Sequence, residues 1–376
     1  MSGATQALLE PLRLGRLELA NRIVMAPMTR SRAQPDGELT EIMTEYYRQR
    51  AGAGLIISEG LYPSEVGKGY CRTPGLVTGT QTEAWRSVTD AVHGRGGLIM
   101  AQIMHVGRVA HPDNKAEGAE TVAPSSIRAD TRMWIDTGGG DLAPTVEPRA
   151  LETDEIPEVV AEYARATEHA YEAGFDGVQL HGTSGYLPAQ FLSTGTNRRD
   201  DAYGGSAEGR CRFVLEVLDA MCGVDGADRV SLRICPANPY NDLHDEDPVA
   251  TFGHLLDRVD PMGLAFLEVI RLHGPDSADE LGVTHTVGSE PAGVPDNPAL
   301  ARDHFSGPLV LNDSYDAAEA AEVVTQGAAA AISFGRPYIN NPDLAERTAA
   351  GIDWTPFENK ALYLSGPDGY IDFGTA

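Results

Sequence analysis

The feature that most constrains the fold is a repeated alternation of short apolar strands with helical stretches. Eight such strands recur, and their bounds are Ile23 to Ala26, Leu55 to Ser58, Leu98 to Ile103, Val178 to Leu180, Val230 to Ile234, Phe266 to Ile270, Leu309 to Leu311 and Ala330 to Phe334. Eight strand–helix units predict a parallel sheet closed into an α/β barrel, the (β/α)₈ TIM barrel. A doubly wound open sheet is the alternative architecture, and the absence of GxGxxG after the first strand weighs against it.

The length of the chain predicts one domain with two long insertions. A (β/α)₈ barrel takes ~250 residues, and the chain has 376. The excess falls in residues 105–152, an inserted lid region after the third strand, and in residues 273–298 after the sixth. Both stretches are rich in Pro, Gly and Asp and lack periodicity, as expected of lid or substrate loops. With no Gly/Ser-rich linker and no internal repeat, we interpret residues 1–376 as a single barrel domain.

Composition limits the partners. The net charge of −26 argues against nucleic acid, because a phosphate backbone would be repelled. No apolar run approaches the ~20 residues of a membrane span, and no signal peptide precedes the first strand, so a cytoplasmic protein without a membrane partner is expected. The four cysteines form no CxxC pair and no metal-site spacing. They are interpreted as reduced and mostly buried thiols, with Cys71 the most accessible, and no metal is expected.

Polar side chains follow the fourth strand directly. The stretch from Phe175 to Tyr186 places His181 at the strand end and Ser184 and Tyr186 on a glycine-bracketed turn. The carboxyl ends of barrel strands carry the chemistry of this architecture. A His and a Tyr together can polarise a carbonyl group and deliver a proton. The alternative is a capped loop around a histidine whose hydrogen bonds are satisfied.

Two further polar residues stand in or at the end of apolar strands. Arg233 lies within the fifth strand and Gln102 near the end of the third. A buried Arg is costly unless it meets an anion or a strong acceptor, and Gln offers both a donor and an acceptor. The pair could therefore bind the edge of a flat heterocycle. A salt bridge from Arg233 to a neighbouring strand is the alternative.

The last two strand ends predict a phosphate site. Asn312-Asp313-Ser314 follows the seventh strand and Gly335-Arg336 the eighth, where barrels often bind phosphate. Gly335 would let the backbone approach the anion and Arg336 would supply charge. Asp313 is expected to face away or to cap a helix. The alternative for Gly335-Arg336 is an ordinary turn with a surface Arg.

These residues belong to a longer series of motifs whose order and spacing resemble the old yellow enzymes, FMN-dependent NAD(P)H ene-reductases with a (β/α)₈ barrel. The motifs are Asn21-Arg22 through Arg30, Tyr46 to Arg50, Gly54 to Glu59, Gln102, His105 to Arg108, Ala123 to Ser125, Asn197 to Asp200, Tyr203 to Ser206, Ser333 to Pro337 and Asn341 to Leu344. Together they cover nearly the whole chain.

The resemblance implies how FMN would be bound. Pro27, Met28 and Thr29 resemble the segment under the flavin, and a Thr at this place is similar to the classical branch of the family. The other implied cofactor residues are Gly60, Gln102 at the pyrimidine edge, Arg233 beside flavin N1, and Asn312, Gly335 and Arg336 as phosphate ligands. A cation beside N1 favours the reduced anion by charge attraction.

The resemblance also implies the catalytic residues. His181 is similar to the first member of a pair that binds the substrate oxygen, and Tyr186 to the proton donor; Tyr70 and Tyr363 match aromatic positions near the substrate. Hydride would pass from flavin N5 to the β-carbon of an activated alkene, and Tyr186 would protonate the α-carbon.

Three positions depart from the family pattern. Ser184 stands where a second His or Asn is expected, Met104 where many relatives carry Trp, and Gln179 where a Glu is common. The shorter Ser184 would weaken oxygen binding, and the narrower Met104 would leave a roomier pocket.

The leading prediction is thus an FMN-dependent ene-reductase that reduces α,β-unsaturated carbonyl compounds with NADPH or NADH, as a monomer or homodimer. A pathway-specific FMN enzyme that oxidises, isomerises or reduces one bulky metabolite is the alternative. A flavin-binding scaffold or sensor with little turnover is a third hypothesis.

Overall fold

The computed structural model describes residues 5–136, 141–272, 295–358 and 361–375. Eight parallel strands, the third to fifth and the tenth to fourteenth of the described chain, close into a barrel in chain order. In chain order the strands are β1 Leu12–Leu14, β2 Leu17–Leu19, β3 Ile23–Met25, β4 Leu55–Leu61, β5 Ile99–Ile103, β6 Val122–Ala123, β7 Arg132–Ile135, β8 Asp141–Pro144, β9 Arg149–Ala150, β10 Gly177–His181, β11 Val230–Ile234, β12 Phe266–Ile270, β13 Leu309–Asn312 and β14 Ala331–Phe334. The predicted (β/α)₈ barrel is confirmed, and the open sheet is wrong because β14 pairs with β3 and closes the ring.

Helices separate the barrel strands and cover their outer faces. They are α1 Glu41–Gln49, α2 Gly79–His93, α3 Ile156–Glu172, α4 Leu187–Leu192, α5 Ala207–Asp225, α6 Pro248–Val259, α7 Asn297–His304, α8 Ala317–Thr325, α9 Arg336–Asn340 and α10 Leu344–Ala350. Local sequence determines several boundaries. Helix α2, for example, begins after Thr78. The Thr78 hydroxyl accepts a hydrogen bond from the Gln81 backbone N–H, and Gln81 Oε1 accepts one from the Thr78 backbone N–H. This capping box satisfies otherwise unpaired N–H groups.

A β-hairpin at the start of the chain closes the amino-terminal end of the barrel. Strands β1 and β2 pair in antiparallel fashion around Gly15, whose φ of +56° and close approach to the Asp228 carbonyl oxygen require a residue without a side chain. The hairpin leucines Leu14, Leu17 and Leu19 pack against Val24 and Phe266 in one buried cluster. The interior of the barrel is therefore filled with apolar side chains at this end.

The insertion after the third barrel strand contains regular structure that periodicity did not predict. Residues 105–152 include the parallel pair β6–β9 and the antiparallel hairpin β7–β8. Arg108 anchors the insertion to the loop after β11, because its buried guanidinium donates to the carbonyls of Ile127, Arg128, Asn241 and Asp242. The expected second loop, residues 273–298, lies mostly outside the described residues.

Two smaller expectations meet the structure at opposite outcomes. The cysteines are free, as expected, but the accessible position of Cys71 is wrong because its side chain is only 6 % exposed. Its loop is covered from two sides: Ala33 N–H donates to the Arg72 carbonyl, and Arg72 donates to the carbonyl of Tyr363.

Within the described residues, no helix is long and apolar enough to cross a membrane.

Candidate active site

A row of buried polar side chains crosses the barrel, from the middle of some strands to the carboxyl ends of others. We call it the inner row; its members are Gln102, Gln179, Glu268, Arg233, Asn312 and Ser333. Gln102 Nε2 donates to Gln179 Oε1 at 2.8 Å, and Gln179 Nε2 donates to Glu268 Oε2 at 2.9 Å. Arg233 then bridges Glu268 and Asn312. Its Nη1 pairs with Glu268 Oε1, and its Nη2 donates to Asn312 Oδ1 at 2.9 Å. The row is thus one continuous hydrogen-bonded line.

Strand register explains why these residues meet. Gln102 and Gln179 are direct Cα partners across β5 and β10, and Arg233 and Glu268 are partners across β11 and β12. Since neighbouring parallel strands place paired residues at one level, their side chains reach one another inside the barrel. The salt bridge from Arg233 to a neighbouring strand, predicted as an alternative, is confirmed.

Glu268 was missed by the sequence interpretation. It lies in the middle of β12, has no exposed surface, and also accepts from the Ser333 hydroxyl at 2.6 Å. The signal was available, because a carboxylate within the apolar run Phe266–Ile270 needs a partner as much as Arg233 does.

Asn312 uses its side chain differently from the expected phosphate contact. Its Oδ1 accepts from Arg233, and its Nδ2 donates to the Ser333 carbonyl at 2.9 Å. Both polar atoms of the amide are therefore engaged inside the barrel. The side chain thus belongs to the inner row rather than to a phosphate contact.

A second group, the His181 cluster, comprises His181, Tyr186, Tyr70 and Met104. The rings of His181 and Tyr186 meet edge to face with centroids 4.9 Å apart, and the Tyr186 hydroxyl donates to the Tyr70 hydroxyl at 3.1 Å. Met104 packs in one buried apolar cluster with Tyr186 and Tyr70. The structure therefore brings together four residues that the sequence assigned to the substrate pocket.

The titratable groups of the cluster are held neutral. Burial lowers the pKa of His181 well below its usual range, and the nearby Arg233 lowers it further. Burial raises the pKa of Tyr186 well above 10, with a smaller contribution from Tyr70, and raises the pKa of Tyr70 to about 12. His181 Nδ1 is buried and has no hydrogen-bond partner among the described residues. This differs from the alternative of a histidine whose hydrogen bonds are satisfied, and the imidazole remains available to a ligand.

Ser184 lies on a strained turn beside the cluster. Its φ is +58°, a left-handed conformation that is uncommon for Ser, and its carbonyl oxygen accepts from Asn241 Nδ2 at 2.8 Å. Its hydroxyl makes no hydrogen bond to any residue that the structure describes. A Cβ on the next residue, Gly185, would lie 2.5 Å from the Asn241 Cβ. The turn thus requires glycine because the loop after β11 approaches so closely.

The segment implied to lie under the flavin follows β3. Pro27, Met28 and Thr29 are half-buried, and the Thr29 hydroxyl has no hydrogen-bond partner within the described part of the chain. Met28 also lies near Gly335, where a Cβ would meet no atom closer than the Met28 Sδ at 3.5 Å. Gly335 immediately precedes Arg336, the first residue of α9. Met28 thus brings the segment after β3 close to the glycine that precedes α9.

Gly60, an implied flavin contact, lies against Met104. A Cβ there would lie 2.6 Å from the Met104 Sδ, so the absence of a side chain at Gly60 makes room for Met104. This packing accommodates the methionine that departs from the family pattern.

The carboxyl-terminal segment brings Tyr363 near Tyr186. Arg30 Nη2 donates to the Gly369 carbonyl at 2.7 Å, and Arg32 Nη2 donates to the Ala361 carbonyl at 2.6 Å. Tyr370 stacks on Tyr46 with ring centroids 4.1 Å apart. Tyr363 contributes to the raised pKa of Tyr186, as does Tyr240, which follows β11 and was not identified from the sequence.

The donor set fits FMN. A flat ring carrying alternating N–H and carbonyl groups along one edge needs alternating acceptors and donors, and such groups line the barrel end. Gln102 Oε1, Arg233 Nε and the Thr29 hydroxyl have no partners among the described residues, so they remain available to such a ring. Among the same residues, no cluster of His, Cys, Asp or Glu could hold a metal ion.

Comparison with known proteins agrees with this geometry. Residues 7–354 match the model of the NADH:flavin oxidoreductase / NADH oxidase family. A probable flavin mononucleotide-dependent alkene reductase from Leishmania infantum is 39% identical, with 99% of each chain covered. The structure of morphinone reductase superposes with a TM-score of 0.90 at 40% identity, covering 98% of this chain and 96% of the other. An old yellow enzyme homologue from Zymomonas mobilis gives a TM-score of 0.90 at 37% identity, with 98% and 99% covered.

The chain therefore belongs to the NADH:flavin oxidoreductase / NADH oxidase family, the old yellow enzymes, and is an FMN-dependent oxidoreductase.

Proposed function

We propose that this protein reduces the C=C bond of α,β-unsaturated carbonyl compounds, with NADPH or NADH as the electron source. Bound FMN would supply the hydride. His181 and Ser184 would hold the carbonyl oxygen of the substrate, and Tyr186 would protonate the α-carbon. The observation that carries the proposal is the contact between His181 and Tyr186, whose ring centroids lie 4.9 Å apart.

His181 is suited to binding an oxygen atom without carrying charge. Its lowered pKa keeps the ring neutral at pH 7, so one ring nitrogen donates a proton and the other accepts. The Nδ1 atom has no partner among the described residues. A buried polar atom without a partner is costly, and a carbonyl oxygen at this place would relieve that cost if Nδ1 carries the proton.

Tyr186 is suited to donating a proton. Its raised pKa keeps the phenol protonated across the neutral range. The Tyr70 hydroxyl, 3.1 Å away, can turn to donate to the phenolate oxygen once the proton has left. Positioned proton donors of this kind contribute about 10²–10⁴ in rate.

The proposal is tested with the purified FMN-bound protein under anaerobic conditions. We expect NADPH or NADH to bleach the flavin absorbance and cyclohexenone to restore it. Air serves as the control, since it should reoxidise the flavin whether or not an enone is accepted. Bleaching followed by reoxidation with air but with no enone or nitroalkene would favour the pathway-specific alternative. Failure to bleach with either nicotinamide would favour a flavin-binding protein without turnover.

A further inference from the structure

Glu268 occupies a place in the inner row that none of the roles above uses. It is fully buried, and both carboxylate oxygens are engaged: Oε2 accepts from Gln179, while Oε1 accepts from Ser333 and pairs with Arg233. A buried carboxylate is stable only with such partners. The question is what this charge does for the residues around it.

The first consequence concerns the direction of the hydrogen bonds. An ionised carboxylate only accepts, so Gln179 must turn its NH₂ group toward Glu268. Gln179 then has only its carbonyl oxygen to offer on the other side, and Gln102 must donate to it. Gln102 is left with its own carbonyl oxygen free. The charge of Glu268 thus determines, through two amides, that Gln102 presents an acceptor.

The second consequence concerns charge. Arg233 pairs with Glu268, so the cation implied to lie beside the flavin is largely neutralised within the barrel. An unpaired cation would stabilise a reduced, anionic ring more strongly. The pair therefore limits how far Arg233 raises the reduction potential of the flavin.

The identity of residue 179 agrees with this assignment. Gln179 Nε2 lies 2.9 Å from Glu268 Oε2. A Glu at position 179 would place two carboxylates at that distance, and like charges so close cannot both ionise. The Gln that departs from the family pattern is the residue that a carboxylate at position 268 requires.

We infer that Glu268 is a positioning residue: it orients Gln179 and Gln102 so that Gln102 would offer an acceptor to the pyrimidine edge of bound FMN, and it would moderate the effect of Arg233 on the flavin. The inference rests on the FMN site and not on the identity of the substrate. It concerns cofactor affinity and potential, so it can fail while enone reduction holds, and the reverse is also possible.

The effect of the Glu268 charge on the flavin is tested with Glu268→Gln. We expect reduced FMN to be favoured over oxidised FMN by at least about tenfold relative to the wild type, a rise of about 30 mV in the two-electron midpoint potential. The control is Asp225→Asn, which removes a carboxylate from an exposed pair with Arg229 at the amino-terminal end of β11. Its potential should match the wild type. An unchanged or more negative potential in Glu268→Gln would overturn the claim that Glu268 moderates the effect of Arg233.

The orientation of Gln102 through Gln179 is tested with Gln179→Met. This variant keeps the Glu268–Arg233 pair but breaks the hydrogen bonds that link Glu268 to Gln102. This variant also keeps the test available if Glu268→Gln does not fold. We expect the dissociation constant of FMN, measured by flavin fluorescence, to rise about tenfold, as for a lost hydrogen bond of about 1.4 kcal/mol. The potential should change much less than in Glu268→Gln. Unchanged FMN affinity would overturn the claim that Glu268 orients Gln102 through Gln179.

Discussion

The inner row and the His181 cluster lie at the same end of the barrel but use their polar groups in opposite ways. In the row, Glu268 and the Asn312 amide have partners for every polar atom. In the cluster, His181 Nδ1 has no partner among the described residues, and no described residue bonds the hydroxyl of Ser184 beside it. Groups that partner one another hold a scaffold in place, whereas groups without partners await a ligand. We therefore expect loss of the Glu268–Arg233 pair in the row to cost stability, and changes in the cluster to cost substrate binding and turnover.

The largest expected effect comes from breaking the row. Arg233→Met leaves Glu268 as an uncompensated buried charge, so the free energy of unfolding should fall by about 3–5 kcal/mol. Urea unfolding at one saturating FMN concentration measures it. The control Arg165→Met breaks the exposed pair with Glu158 and should change stability by less than about 1 kcal/mol. Equal losses in both variants would contradict the view of the row as a scaffold.

Glu59 contrasts with Glu268 because it is a buried carboxyl without a cation bound to it. Its Oε1 accepts from Tyr47, its Oε2 has no partner among the described residues, and burial raises its pKa to about 7. A raised carboxyl pKa stabilises the fold below the unfolded value near 4.5, and this stabilisation is lost as the pH rises through 7.

Unfolding of the wild type and Glu59→Gln should be compared at several pH values. Between pH 4.5 and 7 the wild type should lose up to about 3 kcal/mol relative to the variant. Parallel pH profiles for the two proteins would show that Glu59 does not titrate in this range.

The smallest expected effect concerns Ser184. Asn adopts the left-handed conformation more readily than Ser, and its longer amide should reach a bound oxygen. Ser184→Asn and Ser184→His should therefore tighten phenol binding about five- to tenfold, seen as the long-wavelength charge-transfer band. Ser184→Ala is the matched control and should weaken it. The same affinity in all four proteins would mean that Ser184 does not face the ligand.

Much of the barrel could be predicted from the sequence because its strands are apolar runs that alternate with helices. The polar residues at strand ends, such as Gln102, Arg233 and His181, could be identified for the same reason. Glu268 was missed because only the ends of strands were searched, and β12 carries its charge in the middle. The β1–β2 hairpin also left a signal, since Leu alternates with charged residues around Gly15.

Other features could not have been predicted. Asn241 and Tyr240 lie in an irregular loop, and their contacts with Ser184 and Tyr186 are set by tertiary packing. The loop of Cys71 is held by a hydrogen bond from Arg72 to the carbonyl of Tyr363, far away in sequence. The use of Asn312 inside the barrel depends on where Arg233 points.

The central claim is that the His181 cluster serves the substrate and not the flavin. Stopped-flow measurement of both half-reactions in Tyr186→Phe tests it most directly. We predict that oxidation of the reduced flavin by cyclohexenone slows by about 100-fold or more, while reduction by NADPH stays within about twofold of the wild type. Equal slowing of the two half-reactions would contradict the account.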